Sequence, residues 1–409
     1  MRVRLHSIWL WIGVHAALLF LVRPLQTLIT GRSNLINDLD PALYIYVWLF
    51  CAVSLGTFLF AFRCVKLPVI SLQADGEKIG LLRFLVAWMV WFAVWAVLLR
   101  SRFESGDLLL LLESSNDYIH GKSIFLLNTM TTLMGFFIIK SYSLDTRPTV
   151  KLLIRWTLII FGVAAGVVSG SKTLALIPFF IVILYRSILK DGYSVAWVAS
   201  GMAVVLPIVA VLNVARSGGL LSVDRFFARD GFFSQIIPMV VERFYGVDVV
   251  YQIVLHHTSM NKLYFYGQSL LQIVFAFIPS AMWADKPVIS FGKVVSEEYL
   301  PAHFYGTGIS AAPTIFGELF ANFSWASLIV VPFLGYLFGV HIRSVLLRAG
   351  ASRKHYLEYY LISFTTLAFI LEVSIVGWIV QLIGIYVGIF LLNFLTTAGW
   401  SNFFKYYRT

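Results

Sequence analysis

The sequence contains little charge and almost no cysteine. Asp, Glu, Lys and Arg make up 12% of its 409 residues, whereas a soluble domain usually carries about a quarter of such residues. Its two cysteines, Cys51 and Cys64, fall within one apolar stretch, and a single helix would hold them too far apart to bond. The composition therefore argues against a soluble domain and against a disulfide framework.

Metal-binding patterns are also missing. The eight histidines form no HExxH motif and do not pair with a cysteine. His256 and His257 are adjacent, so they would point in different directions from a helix, and His303 stands alone. We predict that all three are histidines of the loop at 214–312 and are not metal ligands. We also predict that the protein uses neither a metal ion nor another cofactor.

Apolar residues dominate the chain. They account for 59% of it and include 35 Phe, 19 Tyr and 12 Trp, which is typical of a polytopic membrane protein with aromatic interfacial belts. We predict an all-α fold with about ten transmembrane helices, each near the ~20 residues that a bilayer requires. The predicted spans are approximately residues 7–23, 41–63, 81–100, 123–141, 151–169, 171–189, 194–213, 313–340, 356–371 and 373–396.

The basic residues set the predicted orientation. With the N-terminus in the cytoplasm, eighteen of the 31 Lys and Arg residues fall on the cytoplasmic side and six in short outer loops, as the positive-inside rule requires. The net charge of +11 then reflects anchoring on anionic lipid and gives no indication of nucleic-acid binding. We predict a membrane protein with both termini cytoplasmic. Its regions are residues 1–213 with seven helices, a large outward-facing loop at 214–312, and residues 313–409 with three helices.

The large loop is predicted to be helical. Residues 231–257 carry an apolar stripe at helical spacing, interrupted by Pro238. Residues 263–283 are apolar and aromatic and would form an interfacial helix in the outer leaflet. An eleventh span there would turn the basic residues at 341–355 outward, against the charge rule.

The sequence Ser169–Thr173 (SGSKT) separates two apolar helices and has two interpretations. It can be a tight turn in which Ser171 caps the next helix. It can also bind an anion through the N–H groups of that helix start and the side chain of Lys172. The spacing does not fit a nucleotide-binding phosphate loop.

Asp38 and Asp40 form a DxD pair in the first outer loop. Such acidic pairs hold divalent metals in many sugar transferases. However, Asp40 followed by Pro41 also suits a helix start, with a capping side chain and a proline at the first position. We favour the helix cap.

The large loop contains a set of arginines that either form weak surface ion pairs or clamp a phosphate or diphosphate. The predominance of arginine over lysine favours the clamp. The set consists of Arg216, Arg225, Arg229 and Arg243, and it is interleaved with Asp224, Asp230, Glu242 and Asp248.

Glu318 and Asn322 share one face at the outer end of the predicted eighth span. The carboxylate can simply favour the N-terminal dipole of that helix. However, Pro313 starts the helix and Glu318 lies more than one turn beyond it, where the dipole effect has faded. We therefore favour a functional role, with Gly317 allowing close approach of another group.

Three segments together resemble the O-antigen polymerase family, the Wzy-type polymerases of oligosaccharide repeat units. Ser169–Thr173 is similar to an SGSR-like turn, and Ile278–Pro287 is similar to an IPR…KP segment. Gly317–Phe323 is similar to a GE…NFG segment. Departures are Lys172 in place of Arg, Ser280 in place of a base after Pro279, and Ser324 in place of Gly. The plan of about ten spans with one large late periplasmic loop extends the resemblance over most of the chain.

The resemblance implies a glycosyltransferase C-like fold in the bacterial inner membrane, with the large loop in the periplasm. It also implies glycosyl transfer from a polyprenyl-diphosphate-linked oligosaccharide to another lipid-linked glycan. Glu318 or Asp285 would supply or orient the general base for the acceptor hydroxyl. The expected partners are the lipid-linked donor and acceptor, membrane lipid and a chain-length regulator protein. The residues expected to bind substrate are Lys172, Arg216, Arg225, Arg229, Arg243, Lys286 and Asn322.

Two other functions fit the same plan. An O-antigen ligase has a similar late periplasmic loop but joins finished glycan to the lipid A core. A non-catalytic transporter of the same lipid is the alternative from another class. The scarcity of charged residues within the predicted spans argues against transport.

Overall fold

The computed structural model of the protein describes most of the helical framework. The described residues are 2–3, 8–31, 33, 35–36, 38–67, 79–103, 121–168, 172–189, 193–194, 244–276, 291–301, 313–350, 356–367, 371 and 374–396.

Long apolar runs form helices in the first half of the chain, and two of these helices begin with proline. These helices are α1 (Ile8–Ala17), a π-helix (Leu18–Val22), α2 (Arg23–Thr30), α3 (Pro41–Cys64), α4 (Leu81–Phe103), α5 (Gly121–Lys140), α6 (Pro148–Val168) and α7 (Lys172–Leu189).

The second half contains shorter helices before the final spans. They are α8 (Gly246–Thr258), α9 (Gln268–Ala276), α10 (Phe291–Glu298), α11 (Thr314–Phe323), a 3₁₀ turn (Ser324–Ala326), α12 (Ser327–Gly350), α13 (Tyr356–Leu367) and α14 (Ile375–Thr396).

Extended structure in the described ranges is confined to short contacts between chain ends and loops. Strand β1 (Arg2–Val3) pairs antiparallel with β2 (Tyr193–Ser194), and Ile79 forms a single parallel bridge with Leu144. The N-terminus therefore lies beside the segment that follows α7.

The prediction of an all-α membrane protein is confirmed. Among the residues that the structure describes, six helical stretches are long and apolar enough to cross a bilayer: Trp9–Thr30, Pro41–Cys64, Leu81–Leu98, Pro148–Gly166, Thr314–Arg348 and Ile375–Thr396. A shorter apolar stretch, Ile177–Ser187, lies within α7. The total of ten spans stays a prediction, and its seventh span, 194–213, lies almost entirely outside the described residues.

Helices α3 and α12 approach each other closely at two glycines. A Cβ atom on Gly335 would lie 2.4 Å from the backbone oxygen of Phe58, and one on Gly339 would lie 2.9 Å from the Val65 side chain. Without a hydrophobic driving force between helices in lipid, small residues permit the close packing that stabilises such pairs.

The predicted eighth span is divided in two. Helix α11 ends at Phe323, and Ser324 adopts a φ of 53° before α12 begins. Residues 314–322 of α11 are all buried, whereas α12 alone contains 24 residues and is about 36 Å long. Although the two helices together count as one candidate span, α12 is long enough to cross a bilayer by itself.

Helix α8 lies beside α11 and occupies the C-terminal part of the helix predicted at 231–257. Residues 231–243, including Pro238, lie outside the described part of the chain. Ten residues of α8 are buried, so this helix forms an internal layer between α11 and the segment that joins α2 to α3. His256 and His257 both belong to α8, within the helix predicted at 231–257.

Candidate functional site

Glu318 lies at the centre of a buried polar network between three helices. Its Oε1 accepts a hydrogen bond from Ser269 Oγ at 3.2 Å, and its Oε2 accepts one from the Ile375 backbone N–H at 2.6 Å. Glu318 is fully buried. Both carboxylate oxygens are therefore engaged, and the side chain joins α11 to the starts of α9 and α14.

Asn322 extends this network by one helical turn. Its Nδ2 donates to Ser269 Oγ and to the Glu318 carbonyl, both at 2.7 Å. Its Oδ1 accepts from the Gly267 backbone N–H at 3.0 Å. Asn322 thus fixes the turn that begins α9, in which Tyr266 and Gly267 both have a positive φ.

The C-terminus of α11 is capped by the same turn. The Phe265 N–H donates to the Ala321 carbonyl at 2.9 Å, and the Tyr266 N–H donates to the Asn322 carbonyl at 3.1 Å. These bonds satisfy two carbonyl groups that a helix end otherwise leaves unpaired. They account for the termination of α11 within an otherwise apolar stretch.

Gly317 allows α11 and α8 to pack closely. A Cβ atom at this position would lie 3.1 Å from Ile253 Cδ1 and 3.2 Å from Val250 Cγ2. At the start of α11, Thr314 has a φ of 55° although it is β-branched, and its Oγ1 accepts the Gly317 N–H at 3.1 Å. Side chains of α8 therefore pack against Gly317, and the predicted close approach of a backbone or a ligand stays a prediction.

A second buried network surrounds Asp248 on α8. Arg23 donates from Nε and from one terminal nitrogen to Oδ2, at 3.2 and 3.1 Å. Ser33 Oγ donates to Oδ2 at 2.7 Å, and Tyr44 OH donates to Oδ1 at 2.5 Å. Thr27 Oγ1 adds a long bond of 3.4 Å. The alternative of weak surface ion pairing does not hold for Asp248, which is fully buried.

The residues around Asp248 attach α8 to the segment between α2 and α3. The Asp40 N–H donates to Tyr251 OH at 3.1 Å, and Gln252 Nε2 donates to the Leu35 carbonyl at 2.7 Å. Asp40 Oδ1 accepts from the Ala42 and Leu43 N–H groups. The favoured interpretation of Asp40 as a helix cap is therefore confirmed.

The C-terminal turn of α8 carries a third polar cluster, centred on His257. Its Nδ1 lies 2.8 Å from the Lys262 carbonyl, which can only accept, so Nδ1 carries the proton. Nε2 therefore accepts from Tyr299 OH at 2.9 Å. The ring also stacks on Tyr264 at 4.4 Å. Burial lowers the pKa of His257 and raises that of Tyr299, so both side chains stay neutral near pH 7.

The His257 cluster adjoins the Glu318 network. Phe320 on α11 contacts both the His257 and Tyr264 rings, with centroids 6.4 and 6.2 Å apart. Tyr264 OH accepts a hydrogen bond from Ser324 Oγ at 3.1 Å. The C-terminal ends of α11 and α8 therefore form one continuous region, which we call the candidate site.

The structure brings together only some of the predicted site residues. Glu318 and Asn322 are linked through Ser269, as described above. Lys172 is the first residue of α7, but its side chain is not described. The remaining predicted residues lie outside the described ranges: Asp285, Lys286, Arg216, Arg225, Arg229 and Arg243.

The described bases near the candidate site are already paired with carboxylates. Arg23 contacts Asp248. Lys262 Nζ lies 2.7 Å from Glu298 and 3.9 Å from the centre of the Tyr299 ring. The Lys293–Glu297 pair, at 3.5 Å, is half exposed.

Sequence reasoning missed the contributions of Ser269, Arg23 and Tyr299. Ser269 and Tyr299 are uncharged residues in aromatic or mixed stretches, with no local pattern that distinguishes them. Arg23 is one of the six bases predicted to lie in short outer loops. However, Arg23-Pro24 stands at the end of an apolar run, which is an unusual place for an unpaired charge. The position of Arg23 was the one sequence feature that could have indicated a buried partner.

Comparisons of the chain with protein-family models, with curated proteins and with solved structures gave no match.

Proposed function

We propose that this protein is a polysaccharide polymerase of the bacterial inner membrane. It transfers a polyprenyl-diphosphate-linked oligosaccharide repeat unit onto another lipid-linked repeat unit at the outer face of the membrane. The products would be O-antigen, exopolysaccharide or capsule chains. The proposal rests on the resemblance of three sequence segments and on the geometry around Glu318.

The observation that carries the proposal is the Glu318–Ser269–Asn322 network. Both polar residues of the motif Gly317-Glu318…Asn322 converge on one serine hydroxyl, and the glycine permits helix contact. A buried carboxylate needs hydrogen-bond partners to be tolerated. Such an arrangement is expected of a motif that shapes a site, because random polar residues in an apolar stretch rarely meet.

An exposed apolar surface beside this network supports a lipid-linked substrate. Leu263 and Tyr266 are 80% and 74% exposed, and Leu271 and Val274 project from α9. Residues 263–276 contain no charged side chain. The amphipathic tyrosine and the apolar residues suit the membrane interface, where a polyprenyl carrier presents its diphosphate.

We assign diphosphate binding to basic residues other than those in the described ion pairs. Arg23 and Lys262 are already neutralised by Asp248 and Glu298. The candidates are therefore Lys172, Lys286 and the predicted arginine set at 216–243. Guanidinium groups bind diphosphate oxygens in bidentate fashion, and their charge would stabilise the leaving group as the glycosidic bond breaks.

Within this proposal, Glu318 orients the site. Because its two oxygens bind Ser269 and the start of α14, it holds the turn at 265–267 against α11. Asp285 remains a candidate to supply or orient the general base. In cells, both termini would lie in the cytoplasm and a chain-length regulator protein would act beside the outer loop.

The test uses purified protein in lipid vesicles with a lipid-linked repeat unit as donor and acceptor. A polymerase lengthens the glycan into a ladder, and Arg→Ala changes at 216, 225, 229 and 243 should reduce elongation. Lys293→Ala, in a half-exposed pair of the same loop, is the matched control. Full elongation by E318Q and by all four arginine variants would refute the residue assignments.

A deletion strain separates polymerase from ligase. Loss of a polymerase leaves single repeat units attached to the lipid A core, whereas loss of a ligase leaves none attached. A strain that makes no polymer and accumulates lipid-linked glycan on the cytoplasmic side would instead indicate transport.

A further inference from the structure

The last turn of α8 presents an imidazole with a fixed tautomer. His256 Nδ1 lies 2.8 Å from the Gln252 carbonyl. Because a carbonyl only accepts, Nδ1 carries the proton and Nε2 retains its lone pair. The tautomer of His256 is thus set by the backbone of its own helix.

That lone pair is available. In the part of the chain that the structure describes, no hydrogen bond to His256 Nε2 is found, and the atom is not among the buried unpaired ones. The side chain is half-buried. His257 differs in two respects, because it is buried and both of its nitrogens are bonded. Two adjacent histidines therefore have opposite environments.

The surroundings of His256 keep the ring neutral. The Tyr299 ring contacts it edge-on, with centroids 5.4 Å apart, and the Lys262 N–H donates to its carbonyl at 3.1 Å. Burial first, and then the positive charge of Lys262, lower the pKa of His256, while its bond to Gln252 opposes them. The titratable neighbours are Lys262, with its partner Glu298, together with His257 and Tyr299.

We propose that His256 is the general base of the polymerisation reaction, an inference that rests on the proposed function. Nε2 takes the proton from the acceptor sugar hydroxyl as that oxygen bonds to the anomeric carbon of the donor. The bond from this carbon to the diphosphate breaks, and its electron pair leaves with the polyprenyl diphosphate. The imidazolium then releases its proton to water.

The position of His256 suits this role better than that of Glu318. His257 and Tyr264 connect the same helix turn to α11 and its Glu318 network. The Glu318 carboxylate, whose oxygens are both hydrogen-bonded, thus holds the helices of the candidate site together. The His256 imidazole supplies the base. A general base of this kind typically contributes about 10²- to 10⁴-fold to the rate.

The first experiment compares elongation rates of wild-type protein, H256N and H257N across pH. Asparagine at 256 retains a donor for the Gln252 carbonyl and removes Nε2. We expect H256N to lose about 10²- to 10⁴-fold in rate. The wild-type rate should fall in acid with a midpoint below 6.5, and this fall should be absent from the residual activity of H256N.

H257N serves as the control for structure, and it should lower thermal stability while keeping the acid limb. An H256N protein with the wild-type rate, or with an unchanged acid limb, would overturn the assignment of His256. If wild-type protein elongates the glycan but H256N gives either of these two results, the proposed function still holds. Absence of elongation by folded wild-type protein would overturn both.

A second measurement does not depend on the folding of a variant. Diethylpyrocarbonate acylates accessible, unprotonated imidazoles, and peptide mass spectrometry locates the adduct. In wild-type protein we expect modification of His256, protection of His257, and protection of His256 by lipid-linked donor and acceptor. Modification of His257 alone, or none at His256, would overturn the proposal.

Discussion

Arg23 and Asp248 depend on each other, because each would be a buried, unpaired charge without its partner. Their side chains are 4% and 0% exposed. Breaking a buried ion pair by removing one partner typically destabilises a protein by about 3–5 kcal/mol. We therefore expect R23A and D248A each to lower the thermal unfolding temperature of purified protein strongly.

The Lys293–Glu297 pair provides the control for this prediction. Its side chains are each 50% exposed, so K293A should shift stability by no more than about 0.5 kcal/mol. The double variant R23L/D248L should lose less than either alanine variant, because apolar residues can replace a buried pair. Equal stability of R23A, D248A and K293A would show that the pair is unimportant.

Residues that act on their immediate neighbours were predictable from the sequence. The Asp40 cap is an example, because its partners are the next two N–H groups that it can reach. Glu318 was recognisable as an acid in an apolar stretch, but its partners Ser269 and Ile375 were not. They are 49 and 57 residues away, and tertiary folding alone brings them together.

At the scale of elements, the contact between α3 and α12 should be sensitive to a single methyl group. In G335A the new Cβ would meet the Phe58 backbone oxygen at 2.4 Å, and backbone cannot rotate away as a side chain can. Overpacking of this kind typically costs about 1–3 kcal/mol. Thermal unfolding in detergent should show a clear loss of stability.

Gly56 on α3 is the matched control for Gly335. A Cβ atom there would meet nothing within 4 Å, so G56A should be neutral or slightly stabilising because alanine favours helix. If G335A and G56A unfold at the same temperature, the two helices are not packed as closely as the structure indicates.

Helix positions were predictable because apolar run length determines them. The break after Phe323 was not, since the residues remain mostly apolar from 314 to 340. The turn at 265–267 causes the break by bonding the carbonyls of Ala321 and Asn322. A distant segment therefore ends a helix that local sequence would continue.

At the scale of the whole molecule, contacts between loops group the helix ends. Ile79 meets Leu144, and β1 meets β2. Lys140, at the end of α5, pairs with Glu358 near the start of α13 at 2.7 Å. All of these residues fall on the side that the positive-inside rule predicts to be cytoplasmic.

Thiol labelling tests the predicted sidedness. Asp38 and Arg147 are both exposed and are predicted to lie on opposite sides of the membrane. In a C64S background, a membrane-impermeant thiol reagent should label D38C in intact cells and R147C only after permeabilisation. C64S alone should remain unlabelled because Cys51 is buried. Labelling of both cysteines from the same side would refute the predicted topology.

The Arg23–Asp248 pair also sets an order for biosynthesis. The two residues are 225 positions apart, and synthesis proceeds at roughly 5–20 residues per second. Arg23 is therefore synthesised about 11 to 45 seconds before Asp248. During that interval the first span needs water, lipid phosphate or an insertion factor to accommodate its charge, so the N-terminal helices reach their final packing only after α8 has been made.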